Sequence, residues 1–447
     1  MSKVMTLMND LIDLISMGPF GSDIKVDNFI DDGVPVLNGL NVASIKLIET
    51  SFKYVSPEKA VSLKKANAKR GDIVITHRGT VGQISYIPEN SKYDNYIISQ
   101  SQFRVTLKRD IVDPIYFTYY FHTEEGQKRL LSFKSHVGVP ALAQATTNFR
   151  LLEFPLIPLK NQQKIAKVLS DLDAKFELNN KINAELEAMA KLIYDYWFVQ
   201  FEFPISAEQA ASMGKPQLEG KPYKSSGGKM VWDEELKREV PEGWEVKELK
   251  NISTCLMGQS PKGESYNKDG IGIPLINGPA DYENGSLVGR TFTTEPTRLC
   301  QKDDMVLCIR ATIGNLTFSE KEFCLGRGVA AVRPNQKEYS EFIYYFLLQE
   351  IERFKKHATG SIIVGITKDD LIDSKCLIPK RSIIEQFHKT IYPSFMKLRK
   401  NKEENLNLSK LRDWLLPMLM NGQVRIDKLS EPEEHFGMAA EEREKYE

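Results

Sequence analysis

The stretch RGDIVITHRGTVGQ, Arg70 to Gln83, is written a second time as KDDMVLCIRATIGN, Lys302 to Asn315. Asp72 matches Asp304, Arg78 matches Arg310, Thr80 matches Thr312, Gly82 matches Gly314 and Gln83 matches Asn315, all at one offset of 232 residues. Both times an apolar run feeds an Arg-x-Thr-x-Gly turn. Two matches would be chance, but this many in register indicate duplication. A repeat of that length is too long for a solenoid and fits two copies of a whole domain.

The repetition extends outward. SMGPFGSDIKVDNFIDDGVPVLNG (Ser16 to Gly39) echoes LMGQSPKGESYNKDGIGIPLING (Leu256 to Gly278), with Gly-x-Pro-x-x-Asn-Gly kept. Short β-like runs follow in each copy, separated by Gly, Asn and Asp turns. Next comes a helix with a start signal, Asp113-Pro114 before IYFTYYF and Ser340 before EFIYYFLL. The copies close on FPLIP (Phe154 to Pro158) and CLIP (Cys376 to Pro379). The expected fold class is α+β, two heads of short strands and helices.

After each closing proline the periodicity becomes helical. Ile165, Leu169, Leu172, Phe176, Asn179, Asn183, Leu186, Ala190, Ile193 and Trp197 follow one another at spacings of four and three. This is a coiled-coil seam with two asparagines at apolar positions. The second copy offers Phe387, Ile391, Ser394, Leu398, Asn401, Asn405, Leu408, Arg412, Leu415 and Leu419, asparagines included. Pro393 is expected to kink or restart this helix, with Phe395 replacing Ser394 in the seam. Two such helices can pair antiparallel about a pseudo-twofold axis. Residues near mid-helix then meet their own counterparts, so Asn179 is expected beside Asn405 and Asn183 beside Asn401. A helix from about Gln162 to Phe198 would be a strut of roughly 55 Å. The intervening FPISAEQAASMGKPQLEGKPYKSSGGKMVWDEELKREVPEGW reads as a linker packed over the surface.

Bulk properties narrow the class. Apolar content of 41% and charged content of 27% are those of a globular protein, and no apolar run approaches a membrane span. The N-terminus lacks the features of a signal peptide, so a cytoplasmic location is expected. Five cysteines without a Cys-x-x-Cys pair indicate free thiols rather than disulfides or zinc. The chain carries 60 basic and 60 acidic residues; setting aside the eight acids and three bases from Asp427 onward leaves 57 against 52. Charge alone does not point to nucleic acid.

The succession of head, long helix, IYDYWFVQFEFP (Ile193 to Pro204), GKPYKSSGGKMV (Gly220 to Val231), PEGWEVKEL, head and long helix resembles the specificity subunit of Type I restriction–modification systems. The resemblance runs over almost the whole chain; the acidic tail after Gly422 has no place in it. It implies a target-recognition domain at residues 1–158, a repeat helix at 159–203, a linker at 204–240, a second recognition domain at 241–379, a second repeat helix at 380–422 and a tail at 423–447. It also implies a non-catalytic chain that reads a bipartite, gapped double-stranded DNA sequence. Two methyltransferase subunits and translocating restriction subunits would dock on it. S-adenosylmethionine, ATP and magnesium would be held by those partners and no cofactor by this chain. Leu172, Asn179, Asn183, Leu186, Leu398, Asn401, Asn405 and Leu408 are the expected helix-pair or subunit-interface residues.

DNA contacts divide by whether the heads share them. A shared residue cannot distinguish two half-sites, so Arg78, Thr80, Gln83, Arg310, Thr312 and Asn315 are candidates for turn structure or phosphate contact. Divergent positions are candidates for base reading. SQSQFR (Ser99 to Arg104) faces LGRGVA (Leu325 to Ala330), offering Gln100 and Gln102 for adenine and Arg327 for guanine. His77 faces Ile309. The basic loops after the helix add Lys134, His136, Lys355 and Lys356 as phosphate candidates. No Asn/Asp-Pro-Pro-Tyr/Phe segment, cofactor loop or Walker motif is present, which argues against a methyltransferase or translocase. Two alternatives remain at this stage: a tandem protein-binding adaptor, or a specificity subunit whose partner fuses methylation and cleavage.

Overall fold

A computed structural model describes residues 3–21, 23–135, 139–283, 285–310, 313–357 and 365–424. The chain forms two compact units, one running through Phe176 and resuming at Asn407, the other Glu177–Leu406. The dividing lines fall inside the long helices rather than at the head boundaries read from the sequence, because each head packs on the helix ends nearest to it.

In the first unit a four-stranded antiparallel sheet is ordered Ile12–Met17, Gln102–Leu107, Ile73–Thr76, Ile84–Tyr86. A five-stranded sheet is ordered Phe29–Ile30, Lys53–Val55, Val34–Val36, Asn95–Ile97, Asn67–Lys69, with Val34–Val36 and Asn95–Ile97 parallel. The Asp113 carboxylate caps the helix Pro114–Phe121, accepting from Ile115 and Tyr116 N–H. That helix is almost wholly buried, and Tyr119 donates its hydroxyl to Asp173 of the first long helix at 2.5 Å. Arg412 of the second long helix pairs with the same carboxylate at 3.0 Å. Ile165, Leu169, Leu419 and Met420 join the head's core.

The second unit repeats both sheets in the same order and direction: Ser253–Met257, Val329–Pro334, Met305–Cys308, Leu316–Phe318, and then Tyr266–Asn267, Thr291–Thr293, Ile273–Ile276, Phe323–Leu325, Leu299–Cys300. Each head is sealed where its opening strand pairs with its closing one, Val4–Leu7 with Glu153–Leu156 and Glu245–Glu248 with Lys375–Ile378. Asp72 and Asp304 do the same work in both. Each accepts from a backbone N–H of its own turn, of Lys69 and Gln301, and pairs with an arginine on the neighbouring strand, Arg104 and Arg333.

The first long helix is Leu159–Tyr194, continued by a π-helical turn Asp195–Val199; the second is Arg381–Met420. Pro393 does not interrupt it, contrary to the sequence expectation. Pro393 and Lys389, whose carbonyl loses its donor, lie on the solvent side, while Ile391 and Phe395 anchor the opposite face in the core.

Residues 204–240 are more than a surface linker. Ile205, Ala210, Tyr223 and Val240 are buried in one cluster with Trp197, Phe198, Phe203, Trp244, Phe342 and Phe387. Phe203 stacks on Tyr223 at 4.5 Å between centroids, and Tyr223 donates its hydroxyl to the Lys229 carbonyl. A side chain at Gly228 would meet the Tyr223 ring at 2.4 Å, and Gly227 has φ +87°, which together explain the Gly-Gly pair. The aromatic motif thus locks the end of the first long helix onto the second head.

Candidate nucleic-acid interface

In each head three segments converge at one end of the four-stranded sheet. The first is the Arg-x-Thr-x-Gly turn. Its last glycine is forced, since Gly82 has φ +92° and Gly314 φ +136°, and a Cβ at Gly82 would lie 2.9 Å from Gln127 Oε1. Backbone bonds Thr76 N–H to Gln83 O (2.8 Å) and Cys308 N–H to Asn315 O (2.9 Å) close it alike in both heads.

The second segment is the turn before the long central strand. His77 N–H donates to Ser101 O, and Ile309 N–H donates to Gly328 O. The strand registers Gln102↔Thr76 and Val329↔Cys308 make Gln100 the counterpart of Arg327. This shifts the sequence comparison of SQSQFR with LGRGVA by one residue. Both Gln100 and Arg327 are exposed.

Gln102 is corrected by the same register. It is 0% exposed; its Oε1 accepts from Ser99 N–H at 2.9 Å and its Nε2 donates to Asn38 O at 3.1 Å. With its amide consumed inside the turn it cannot read a base; it positions the segment that carries Gln100. His77 is half-buried and its Nε2 donates to Gln100 O at 3.1 Å. Burial holds its pKa below the usual histidine range, with the Arg78 charge adding to the shift, so Nδ1 is left to accept.

The third segment crosses the turn from the far side. Arg78 bridges Ala141, and Leu142 N–H donates to His77 O; in the second head Ile366 N–H donates to Ile309 O. Arg78 and Arg310 are exposed, as is Thr80, which donates to Gln83 Oε1 at 2.6 Å. Met257, Gly258, Ile309, Arg310, Arg327, Gly365, Ile366, Thr367 and Lys368 line a groove here. Three of these are cationic and none is acidic, a lining suited to a polyanion. Lys368 was not a sequence candidate; its place becomes visible only when the strand pairing brings Ile366 onto Ile309.

The remaining candidates are scattered. Lys134 is exposed on the short strand Lys134–Ser135, and Lys355 is exposed but ion-paired with Glu352 at 2.7 Å. Lys356 is exposed beside it, and Asn315 is half-buried. His136, Thr312 and the acidic tail from 425 on lie outside the described residues.

At the helix crossing in the second unit, Asn179 Nδ2 donates to Asn405 Oδ1 at 3.0 Å and to Glu404 at 2.8 Å. Asn401 Nδ2 donates to Asn183 Oδ1 at 2.8 Å, and Asn405 Nδ2 to Asn180. These pairings are those of an antiparallel crossing. Asn179 and Asn401 are 0% exposed, and the Oδ1 of each finds no partner among the described residues. The layer therefore sacrifices stability while favouring one register. Leu398 is buried near it, and Leu172, Leu186 and Leu408 are half-buried.

A family model described as a Type I restriction modification DNA specificity domain matches the chain twice, over residues 34–188 and 241–407. The chain is 26% identical over 401 residues, 88% of either chain, to a Methanocaldococcus jannaschii protein named provisionally as the MjaX specificity subunit of a type I restriction enzyme. It is 26% identical over 412 residues to the HindI specificity subunit of Haemophilus influenzae, covering 81% of this chain and 88% of that one. The crystal structure of a Type I restriction–modification S subunit from M. genitalium shares the fold at TM-score 0.59 and 16% identity, over 93% of this chain and 96% of the other.

Proposed function

This chain belongs to the family of Type I restriction–modification DNA specificity subunits, and from that premise we propose that it reads an asymmetric, bipartite DNA sequence, one half-site per head. As a specificity subunit it is a non-catalytic component of its enzyme complex. The observation carrying the bipartite reading is that one site occurs twice with the exposed residue of its second turn changed. The same backbone bonds hold Gln100 at one copy and Arg327 at the other. Gln100 suits the N6/N7 edge of adenine, and Arg327 the O6/N7 edge of guanine. Arg78 and Arg310, identical and exposed, serve phosphates, as do Lys134, Lys355 and Lys356.

The paired helices act as the spacer that sets the gap between half-sites, with the asparagine layer fixing their register. Two methyltransferase subunits and the restriction subunits assemble on the chain and bring S-adenosylmethionine, ATP and magnesium. The test is a genome-wide map of N6-methyladenine in the source organism with and without this gene. Loss of one gapped, two-part motif on deletion is expected. An unchanged map in cells that express the chain with its methyltransferase partner overturns the proposal.

A further inference from the structure

The segment that follows the first strand of each sheet lies against the reading turn. Gly18 N–H donates to Gln102 O at 2.8 Å, and Gly258 N–H donates to Val329 O at 3.0 Å. A side chain at either glycine would collide with the turn, 1.9 Å from Ser99 O and 2.1 Å from Gly326 O. Because Gln102 and Val329 are equivalent, so are Gly18 and Gly258. Phe20 and Ser260 each stand two residues beyond that shared glycine, next to or against the residue their head exposes at the turn.

They differ in kind. Ser260 Oγ lies 3.2 Å from Arg327 Nε and 3.4 Å from its backbone N, accepting from both. Asn277 fills the space that a side chain at Gly326 or Gly328 would need, so the arginine projects from a held turn. Phe20 is 82% exposed. Its turn is pinned, Phe20 N–H to Asp23 Oδ2 at 2.9 Å and Asp23 N–H to Phe20 O at 2.8 Å. A Cβ on Gly21 would lie 2.6 Å from Gln100 Oε1, so the Gln100 amide rests on the backbone next to Phe20. An unburied aromatic ring carried on a hydrogen-bonded backbone beside an adenine-reading amide suits the 5-methyl group of a thymine.

We propose that Phe20 and Ser260 are the second specificity-determining position of each head: Phe20 packs on the thymine methyl of the A·T pair adjoining the adenine read by Gln100, and Ser260 holds the Arg327 guanidinium for bidentate guanine contact. The inference rests on the specificity-subunit reading above. Phe20 touches the base; Ser260 is a positioning residue acting through Arg327.

The test uses the full chain with its methyltransferase subunits, methylating a randomised duplex library that is then sequenced. Phe20→Ala and Phe20→Leu are expected to relax one A·T pair of the first half-site, losing about 4-fold discrimination there, the worth of one buried methyl, and none in the second. Uracil in place of that thymine lowers wild-type methylation to the variant's level and leaves Phe20→Ala unaffected. Ser260→Ala relaxes one guanine of the second half-site, the same one relaxed by Arg327→Ala and by 7-deazaguanine, and Ser260→Thr restores it. Full discrimination in both variants, or loss spread evenly over all sequences, overturns the inference. A wild-type complex that methylates no two-part motif overturns instead the reading on which it rests.

Discussion

Replacing Asn401 by leucine removes the donor that Asn183 Oδ1 receives at 2.8 Å and strands a buried acceptor at the helix crossing. Such an orphan costs about 1–3 kcal/mol. Since about 1.4 kcal/mol is a factor of ten, Asn401→Leu should open the crossing roughly 5- to 160-fold more often. Replacing Asn183 by leucine as well removes the orphan and joins two apolar side chains, so the double variant should return to near wild-type stability. The cycle then shows a coupling of about 1–3 kcal/mol. Amide hydrogen exchange of the full chain, read on peptides spanning 177–190 and 395–408, measures this without requiring global two-state unfolding. A double variant that exchanges as fast as the two single effects combined would refute the reasoning. With all four asparagines replaced by leucine the helices should stay paired but lose their register. The assembled complex should then methylate sites with more than one spacer length.

Arg78→Ala and Arg310→Ala should each weaken duplex binding evenly across sequences and lower the salt slope of log K by about 1, measured by titration at several salt concentrations. Seven residues inserted after Glu177 and seven after Leu406 keep the asparagine pairs intact. They add about 10 Å, so library methylation should show a gap longer by about 3 base pairs with both half-sites unchanged. Phe203→Ala should destabilise the second unit by about 3–5 kcal/mol, seen as faster proteolysis near 204–240, because a fully buried ring is removed. Burial lowers the pKa of both His77 and His122. The unfolded chain therefore binds more protons once pH falls below about 6.5, so the first unit should lose stability from there toward the lower folded-state values. His122→Gln, which can still donate to the Ile84 carbonyl, should flatten that pH dependence in urea titrations followed by hydrogen exchange.

The heads, the long helices and the asparagine crossing were legible because each leaves a periodic or repeated trace in the chain. Gln102 was misread because the strand Gln102–Leu107 is covered on both faces, so a polar residue on it does not imply a solvent-facing side. Arg104 beside it is buried for the same reason, and pairs with Asp72. The segment 204–240 was misread because its Gly, Lys and Ser content hides four buried anchors, Ile205, Ala210, Tyr223 and Val240. Phe20, Ser260 and Lys368 carried no local signal at all. Their relevance comes from approaches between segments tens of residues apart, such as Gly18 against Ser99, which pattern reading along the chain does not register.

The pairing of Val4–Leu7 with Glu153–Leu156, and of Glu245–Glu248 with Lys375–Ile378, brings the chain into each head and out of it along neighbouring strands about 5 Å apart. A module whose two ends leave side by side can be lifted out and replaced by another of different sequence with no added loop-closure cost, provided the two-stranded seam and the face packed on the long helices are kept. On the proposed reading of one half-site per head, recombination between genes at those seams would change which half-site is inherited while passing on the helices untouched. New target sequences would then arise by exchange of intact cassettes, with no intermediate generation carrying a half-altered reader.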